Sequence, residues 1–338
     1  MSQQSAKMAA FHAERMQGLG GSDIAAALGY SAFKSPVQLY MEKTGRIADD
    51  SESMRLRFGQ HAEEFVAQEY SRATGYRVQH FNPMLRHPTF KNIIGHVDRL
   101  VIPAGAKVAA HKGEIRTDRG LEAKTVDSFV YRTSGEWGDP GTDQVPTYYL
   151  IQCATYMGLT GCSRWDLAAL VGSGSGELPI YHMARDRDLE DELFHRAQEW
   201  WDTHVAKDVA PEPRSEDDVA LLYPQARQKE EVEANEEIAV AIGMLKSTKE
   251  TIAEHEEYAA ELALKIKRFM GHADTLLGPD GKKLATWGNR KGRTVFDLDT
   301  FVGHLCPGAT PAERALFIED AKRAFTTRGE PGRTFTLK

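Results

Sequence analysis

Four side chains in this sequence have the chemical types that metal-assisted hydrolysis of a phosphodiester bond requires: Glu63, Asp98, Glu122 and Lys124. Such hydrolysis needs an activated water and stabilisation of charge on the attacking and leaving oxygens, and paired divalent ions provide both. Because Mg²⁺ prefers carboxylate and water oxygens, we expect the three carboxylates to converge on the metal, with the backbone carbonyl of Ala123 completing its shell. We expect Lys124 to polarise the attacking water or to neutralise the scissile phosphate.

The segments that carry these side chains are predicted to be two neighbouring strands and a helix. Glu122 and Lys124 stand two apart in the short strand GLEAKTV, so their side chains point to one face. The segment MLRHPTFKNIIGHVDRLVI ends in an alternating, β-branched strand that contains Asp98. Apolar residues at three- and four-residue spacing between positions 54 and 74 predict an amphipathic helix that carries Glu63.

The spacing of these residues is weak evidence by itself. Acidic and basic residues are common on strands, and 23 residues separate Asp98 from Glu122. A lone strand lysine such as Lys124 is most often a solvated surface residue. The context favours chemistry, because EAKT lies between apolar residues on a strand expected to be internal, where an unpaired charge is costly.

A second candidate feature is the glycine-marked turn at positions 18–21, after which a helix is predicted to open at Ser22 and Asp23. The exposed N–H groups of a helix N-terminus can bind an anion, and the Ser22 hydroxyl adds a donor. The simpler interpretation is that Ser22 only caps the helix, and the residues alone favour it.

The remaining pattern predicts a core at residues 1–208 and a C-terminal extension at residues 209–338. In the core, a loop is expected at 127–145, a helix with Gln152 at 146–161, strands at 165–171 and 178–184, and a helix at 188–207. In the extension, a proline-rich charged stretch precedes a long amphipathic helix at 229–270 and a basic β-hairpin that turns at 288–292. The charged helix is interpreted as a solvated arm packed on the core or on another subunit, and the cationic hairpin as a soluble surface element, rather than as DNA-reading structures.

Composition excludes several classes of protein. A chain of 338 residues accommodates one core and an appendage. The net charge of -7 argues against coating nucleic acid by bulk charge, although an acidic site that gathers cations is compatible with it. The three cysteines form no CxxC pair, which argues against zinc or iron–sulfur sites on cysteine. With no secretory signal and no run of 18 apolar residues, we expect a cytoplasmic protein without membrane association.

Taken in order, five segments resemble the YqaJ-like viral recombinase family, which groups with phage lambda-type exonucleases in the PD-(D/E)xK nuclease superfamily. They are GLGGSDIAAALGYSAFKSPVQLYMEKTG, FGQHAEEFVAQEY, IIGHVDRL, LEAKTV and VPTYYLIQCATYMGLTG, spread over roughly residues 10 to 205. The resemblance implies an α/β fold: a PD-(D/E)xK, restriction-endonuclease-like core with a mixed central sheet flanked by helices. A C-terminal helical arm and a small β element would follow.

The resemblance also implies roles for the four candidate residues. Glu63, in G-x-x-x-E, is similar to the family's helix carboxylate near the metal, and Asp98 to its motif aspartate. Glu122 and Lys124 resemble the (D/E)xK pair. The sequence departs from the family in two ways: His96 and Val97 replace the usual proline or serine context, and the hairpin after Asp98 is long. His96 is therefore either a further metal ligand or a supporting hydrogen-bonding group.

Two further sets of residues acquire roles only through the resemblance. Gln152, in Y-x-x-Q-x-x-x-Y-M, resembles a glutamine that supports the active site, accompanied by Tyr149 and Tyr156. Arg15 and Ser22, seven apart, resemble the pair that binds the 5′-phosphate of a DNA end.

The activity that the resemblance implies is digestion of linear double-stranded DNA from its ends, 5′ to 3′, with two Mg²⁺ ions or Mn²⁺ as a substitute. The exposed single strand would serve a single-strand annealing recombinase, in a bacterial cytoplasm from a phage or prophage gene. Such relatives form homo-oligomers, often rings of three. Two alternatives stay open: a RecB-like nuclease or endonuclease in a repair or defence complex, and a catalytically silent DNA-binding module.

Overall fold

The computed structural model describes residues 13–48, 54–172, 176–227, 229–292, 294–327 and 335–337. The chain divides into two compact units, the first ending at Tyr223 and the second beginning at Pro224. In the described residues, no helix is both long enough and apolar enough to cross a membrane.

A five-stranded mixed sheet organises the first unit. Its order is β1-β4-β7-β8-β9, in which β7 and β8 are parallel and the other neighbours are antiparallel. The strands are β1 (Arg77–His80), β4 (Arg99–Ile102), β7 (Arg119–Val126), β8 (Arg164–Val171) and β9 (Ile180–Ala184). Strand β7 lies at the centre of the sheet, as predicted, so its charged side chains are enclosed on both sides by neighbouring strands.

Helices flank both faces of this sheet. The helices are α1 (Gly21–Ala27), α2 (Pro36–Lys43), α3 (Met54–Thr74), α4 (Ser128–Thr133), α5 (Thr147–Thr160), α6 (Arg187–Trp200) and α7 (Glu216–Leu222). On one face, Tyr70 and Val66 of α3 pack with Leu121 and Ala123 of β7. On the other, Tyr149, Cys153 and Met157 of α5 pack with Leu100, Trp165 and Leu167. The predicted α/β class, with a mixed central sheet flanked by helices, is confirmed.

The predicted continuous strand around Asp98 was wrong. Ile94–Gly95 forms a separate short strand, β3, that pairs with β2 (Leu85–Arg86), and β4 starts only at Arg99. Ile94 also donates its N–H to the carbonyl of Leu19, outside the central sheet. Asp98 therefore stands just before the strand. The loop that follows β4 contains a small hairpin, β5 (Ala110–His111) and β6 (Glu114–Ile115).

Residues 209–223, which the sequence analysis assigned to the C-terminal extension, lie in the first unit. The reason is Asp218 on α7, whose side chain is only 1% exposed. It accepts hydrogen bonds from the hydroxyl of Ser35, the N-cap of α2, and from the N–H of Arg214.

The second unit contains a 35-residue helix, α8 (Glu236–Met270), a two-stranded sheet and two further helices. The predicted hairpin turn at 288–292 was wrong: β10 (Thr275–Leu277) pairs with β11 (Lys283–Thr286), so the turn falls at positions 278–282. The helices α9 (Leu298–Leu305) and α10 (Pro311–Phe325) were not anticipated. A final strand expected at 332–338 lies largely outside the described residues.

Candidate active site

Glu122 is the most deeply buried carboxylate of the candidate set, at 1% exposure. One of its oxygens, Oε1, accepts a 2.6 Å hydrogen bond from Nε2 of Gln152 and lies 2.6 Å from Nζ of Lys124. The other, Oε2, is buried and has no hydrogen-bond partner among the described residues. Burial raises the pKa of Glu122, and Glu63 adds to the rise, while Lys124 opposes it. The arrangement leaves one carboxylate oxygen available to a ligand.

The spacing of Glu122 and Lys124 on β7 places both on the α5 face of the sheet, as predicted. Burial favours a neutral Lys124, but the carboxylates of Glu122 and Asp98 outweigh it and raise the lysine pKa. Lys124 consequently stays an ammonium group, which stabilises negative charge and donates hydrogen bonds rather than acting as a base. Its Nζ also lies 5.5 Å from the ring centre of Tyr149.

Asp98 lies beside the same strand. Its Oδ2 accepts a 3.0 Å hydrogen bond from the backbone N–H of Ala123, the residue between Glu122 and Lys124. Burial raises the pKa of Asp98 well above its usual range, and repulsion from Glu122 adds to the effect. Two buried carboxylates whose pKa values are both raised favour a bound cation, since a cation stabilises their charged forms.

Glu63 borders the same cleft as Asp98, and its charge raises the pKa of both Asp98 and Glu122. It lies on α3, which covers the opposite face of the sheet, and its carboxylate is bonded to the buried guanidinium of Arg99 at 2.5 Å. Arg99 also binds Glu64 at 2.9 Å. Within the described ranges, no three His, Cys, Asp or Glu side chains are close enough to hold a metal ion. Arg99 is a site residue that the sequence analysis missed, although it directly follows Asp98.

A cleft of about 500 Å³ connects Asp98 and Glu63 with the turn that precedes α1. Arg15 and Ser22 line this cleft, as do His96 and Tyr156. The N-cap of α1 is Gly20 rather than Ser22, so the capping interpretation of Ser22 was wrong. The Ser22 side chain is exposed at the cleft.

Asp23 holds the turn in place. Its Oδ2 accepts a 3.2 Å hydrogen bond from the N–H of Gly20 and a 2.8 Å bond from Nζ of Lys43, and the Asp23 and Lys43 side chains are each 5% exposed. Burial alone would raise the pKa of Asp23, but Lys43, with Arg15 and Lys34, lowers it from 3.8 to about 2. From the sequence, Asp23 was interpreted only as a helix-capping residue. Its pairing with Lys43 could not be predicted, because the two residues lie 20 positions apart.

The α1 and α5 helices meet at Gly21 and Gln152. A Cβ atom at position 21 would lie 2.9 Å from Cγ and 3.1 Å from Cα of Gln152, closer than a side chain tolerates. Gln152 also donates a 3.1 Å hydrogen bond to the hydroxyl of Tyr156. The predicted supporting glutamine therefore touches both the Glu122 carboxylate and the turn.

His96 borders the cleft on the same side as Asp98. Burial lowers its pKa, while a backbone hydrogen bond at Asn82 opposes the shift. A neutral imidazole fits either of the two roles considered for this residue.

The oxygen donors of Asp98 and Glu122 fit a hard divalent cation. The available Oε2 of Glu122 and the oxygens of Asp98 are the ligand type that Mg²⁺ and Mn²⁺ prefer. Glu63 borders the same cleft, and one of its carboxylate oxygens, Oε1, accepts a hydrogen bond from Arg99.

Comparison with known proteins finds a family model and a curated relative that are similar to this chain. The model of the YqaJ-like viral recombinase domain matches residues 10–163. The uncharacterized protein YqaJ of Bacillus subtilis (strain 168) is 28% identical over 279 residues, which is 81% of each chain. The resemblance drawn from the sequence motifs is confirmed over the matched residues.

Two solved structures are similar to part of the chain. An alkaline exonuclease, LHK-Exo of Laribacter hongkongensis, is 18% identical and covers 58% of this chain and 91% of its own, with a TM-score of 0.44. A phage-related exonuclease of Haemophilus somnus 129PT is 12% identical and covers 57% of this chain and 96% of its own, with a TM-score of 0.36.

Proposed function

We propose that this chain, which carries a YqaJ-like viral recombinase domain at residues 10–163, is a divalent-metal-dependent nuclease that hydrolyses DNA. The observation that carries the proposal is the buried Glu122. Gln152 and Lys124 hold one of its oxygens, and the other is left without a partner among the described residues, beside Asp98. A purely structural carboxylate would be expected to have both oxygens satisfied.

In this proposal Asp98 and Glu122 hold the metal, assisted by the backbone carbonyl of Ala123 and, through the cleft, by Glu63. Mg²⁺, replaceable by Mn²⁺ and present as two ions, would supply an activated water and stabilise the leaving oxygen. Gln152 orients Glu122 by its 2.6 Å hydrogen bond. Lys124 donates to the attacking water or to a phosphate oxygen and neutralises the charge that develops there.

We propose that residues at the other end of the cleft determine the direction in which DNA is digested. Arg15 and Ser22 would bind the 5′-phosphate of a linear duplex, and Asp98 lines the same cleft. Digestion would then run 5′ to 3′ and expose single-stranded DNA for a single-strand annealing recombinase. The active form would be a homo-oligomer, a ring of three chains enclosing the duplex.

The decisive experiment is digestion of end-labelled linear duplex by the native full-length chain and by Glu122→Gln, Asp98→Asn and Lys124→Met. We expect label release in Mg²⁺ from 5′-phosphorylated ends, none in EDTA, and a loss of at least a hundredfold in each variant. Glu114→Gln, on the exposed β5–β6 hairpin, is the matched control and should cut normally.

Two other outcomes would replace the proposal. Cutting of covalently closed circles at a rate similar to linear DNA would indicate an endonuclease of a repair or defence complex. DNA binding without cutting in Mg²⁺ or Mn²⁺ would indicate a catalytically silent binding module.

A further inference from the structure

Helix α8 carries a heptad stripe along its 35 residues that is apolar at eight of its ten positions. Apolar side chains occupy every seventh position from Ile238. A second row, with the same seven-residue spacing, begins three residues later at Ala241. The first row is Ile238, Leu245, Ile252, Ala259 and Ile266, and the second row is Ala241, Thr248, His255, Leu262 and Phe269. This is the a and d pattern of a helix that packs against another helix over its whole length.

Each side chain of the stripe is exposed in the described structure. Ile238 is 50% exposed, Ile252 51% and Phe269 81%. A helix of this length, about 50 Å, gains little from propensity alone and normally buries its apolar stripe. We therefore expect the apolar stripe to be buried against a partner helix of similar length.

We infer that the partner is the α8 helix of a second copy of this chain, packed antiparallel. An antiparallel arrangement sets each a position against a d position of the other copy, and the stripe is complementary to itself in that register. The facing pairs are Ile238 with Phe269, Ala241 with Ile266, Leu245 with Leu262, Thr248 with Ala259, and Ile252 with His255. Small residues meet larger ones at several of the layers, and every layer has an apolar member.

The charges beside the stripe select the same direction. In the antiparallel register, Lys249 of one copy flanks Glu256 of the other, and the two-fold symmetry of the pair makes this contact occur twice. Lys249 and Glu256 are seven positions apart, too far to pair within one helix, where contacts join residues three or four apart. Lys249 and Glu256 can therefore form an ion pair with each other only between two helices.

A parallel pair fits the same residues poorly. In register, it would stack His255 on His255 and Thr248 on Thr248, and it would set Glu237 beside the apolar Ile242. None of the opposite charges would then meet. The sequence of α8 thus specifies both the occupant and its orientation, independently of the nuclease proposal.

The first test measures the mass of the full-length chain by sedimentation velocity. Leu245→Asp with Leu262→Asp should halve the assembly mass, whether the native assembly is a dimer or two rings of three joined through α8. Leu264→Asp is the matched control: Leu264 is 49% exposed against 44% for Leu262, but it lies off the stripe, and its variant should keep the native mass. An unchanged mass in the double variant overturns the proposal.

The second test uses charge reversal and does not depend on disrupting the apolar stripe. Lys249→Glu and Glu256→Lys should each weaken self-association by at least tenfold, because each variant sets like charges against each other. An equimolar mixture of the two single variants should recover native affinity, since each copy then offers the charge that the other lacks. Failure of the mixture to recover would exclude the antiparallel self-pair and leave packing against another surface.

Discussion

The side-chain amide of Gln152 donates a 2.6 Å hydrogen bond to Oε1 of Glu122 and a 3.1 Å bond to the hydroxyl of Tyr156. All three groups are buried. The amide fixes which oxygen of Glu122 faces Lys124 and which is left available. Gln152 is thus a positioning residue in the proposed nuclease, and its role differs from that of a ligand.

Replacing Gln152 by Ala should reduce turnover by roughly ten- to a hundredfold, as expected for groups that orient metal ligands. The loss should fall on kcat and on the Mg²⁺ concentration needed for half-maximal rate, with little change in KM for DNA. Steady-state kinetics across a Mg²⁺ titration measures both. Gln198→Ala, which removes hydrogen bonds to Asn92 and Asp202 outside the cleft, is the control. Equal losses in the two variants would contradict the positioning role.

Ser22→Ala should impair recognition of phosphorylated DNA ends without affecting the fold. The Ser22 hydroxyl is exposed and does not cap α1, so the free energy of unfolding should change by less than about 0.5 kcal/mol. We expect kcat/KM for 5′-phosphorylated duplex to fall about tenfold and that for 5′-hydroxyl duplex to stay the same. If both substrates are affected alike, Ser22 does not bind the phosphate.

The Asp23–Lys43 pair should make stability depend on pH in the acid range. The pKa of Asp23 is lowered from 3.8 to about 2 in the folded protein, so folding favours the ionised form. This contribution, about 2 kcal/mol, is complete above pH 4 and is lost as the pH falls through 2. Urea unfolding of the native chain and of Asp23→Asn at several pH values measures it.

The stability difference between these two proteins should be largest near pH 6 and should shrink between pH 4 and pH 2. A difference that stays constant down to pH 2 would show that Asp23 acts through its hydrogen bond to Gly20 rather than through its charge.

Gly21→Ala should destabilise the first unit by about 1 to 3 kcal/mol, because the added methyl group would overlap Gln152. Activity should fall with stability, since the overlap displaces the amide that holds Glu122. The neighbouring Gly20→Ala provides the comparison: its Cβ would meet only Asp23, at 3.8 Å. Thermal unfolding of both variants should separate them clearly, and equal midpoints would contradict the close packing.

The sequence was sufficient for the helices and central strands because their apolar periodicity is strong. The α3 helix, Met54–Thr74, starts and ends where predicted, and β7 contains the predicted GLEAKTV. Local pattern could not show that Ile94 is diverted to β2 and Leu19, and this diversion moved Asp98 out of the strand. The β10–β11 turn was misplaced because the glycines at 288 and 292 outweighed the pattern at 278–282.

The candidate site was predictable to the extent that its residues share one strand or one motif. Glu122 and Lys124 meet because they stand two apart on β7, and Gln152 reaches Glu122 from the helix that was predicted to carry it. The engagement of Glu63 by Arg99 was not predictable, since it depends on which face of the sheet α3 covers. The same holds for Asp23 and Lys43, which only the tertiary fold brings together.

In the proposed nuclease, the contact between Gly21 and Gln152 would fix the spacing between the phosphate-binding turn and the carboxylates. The turn that presents Ser22 and the helix that fixes Glu122 approach so closely at Gly21 that there is no room for a Cβ atom between them. In the proposed nuclease, a DNA end bound at the turn would lie at a distance from the carboxylates that the packing of these two helices sets, whatever its base sequence. The length of each excised piece would be a property of the backbone spacing between two helices.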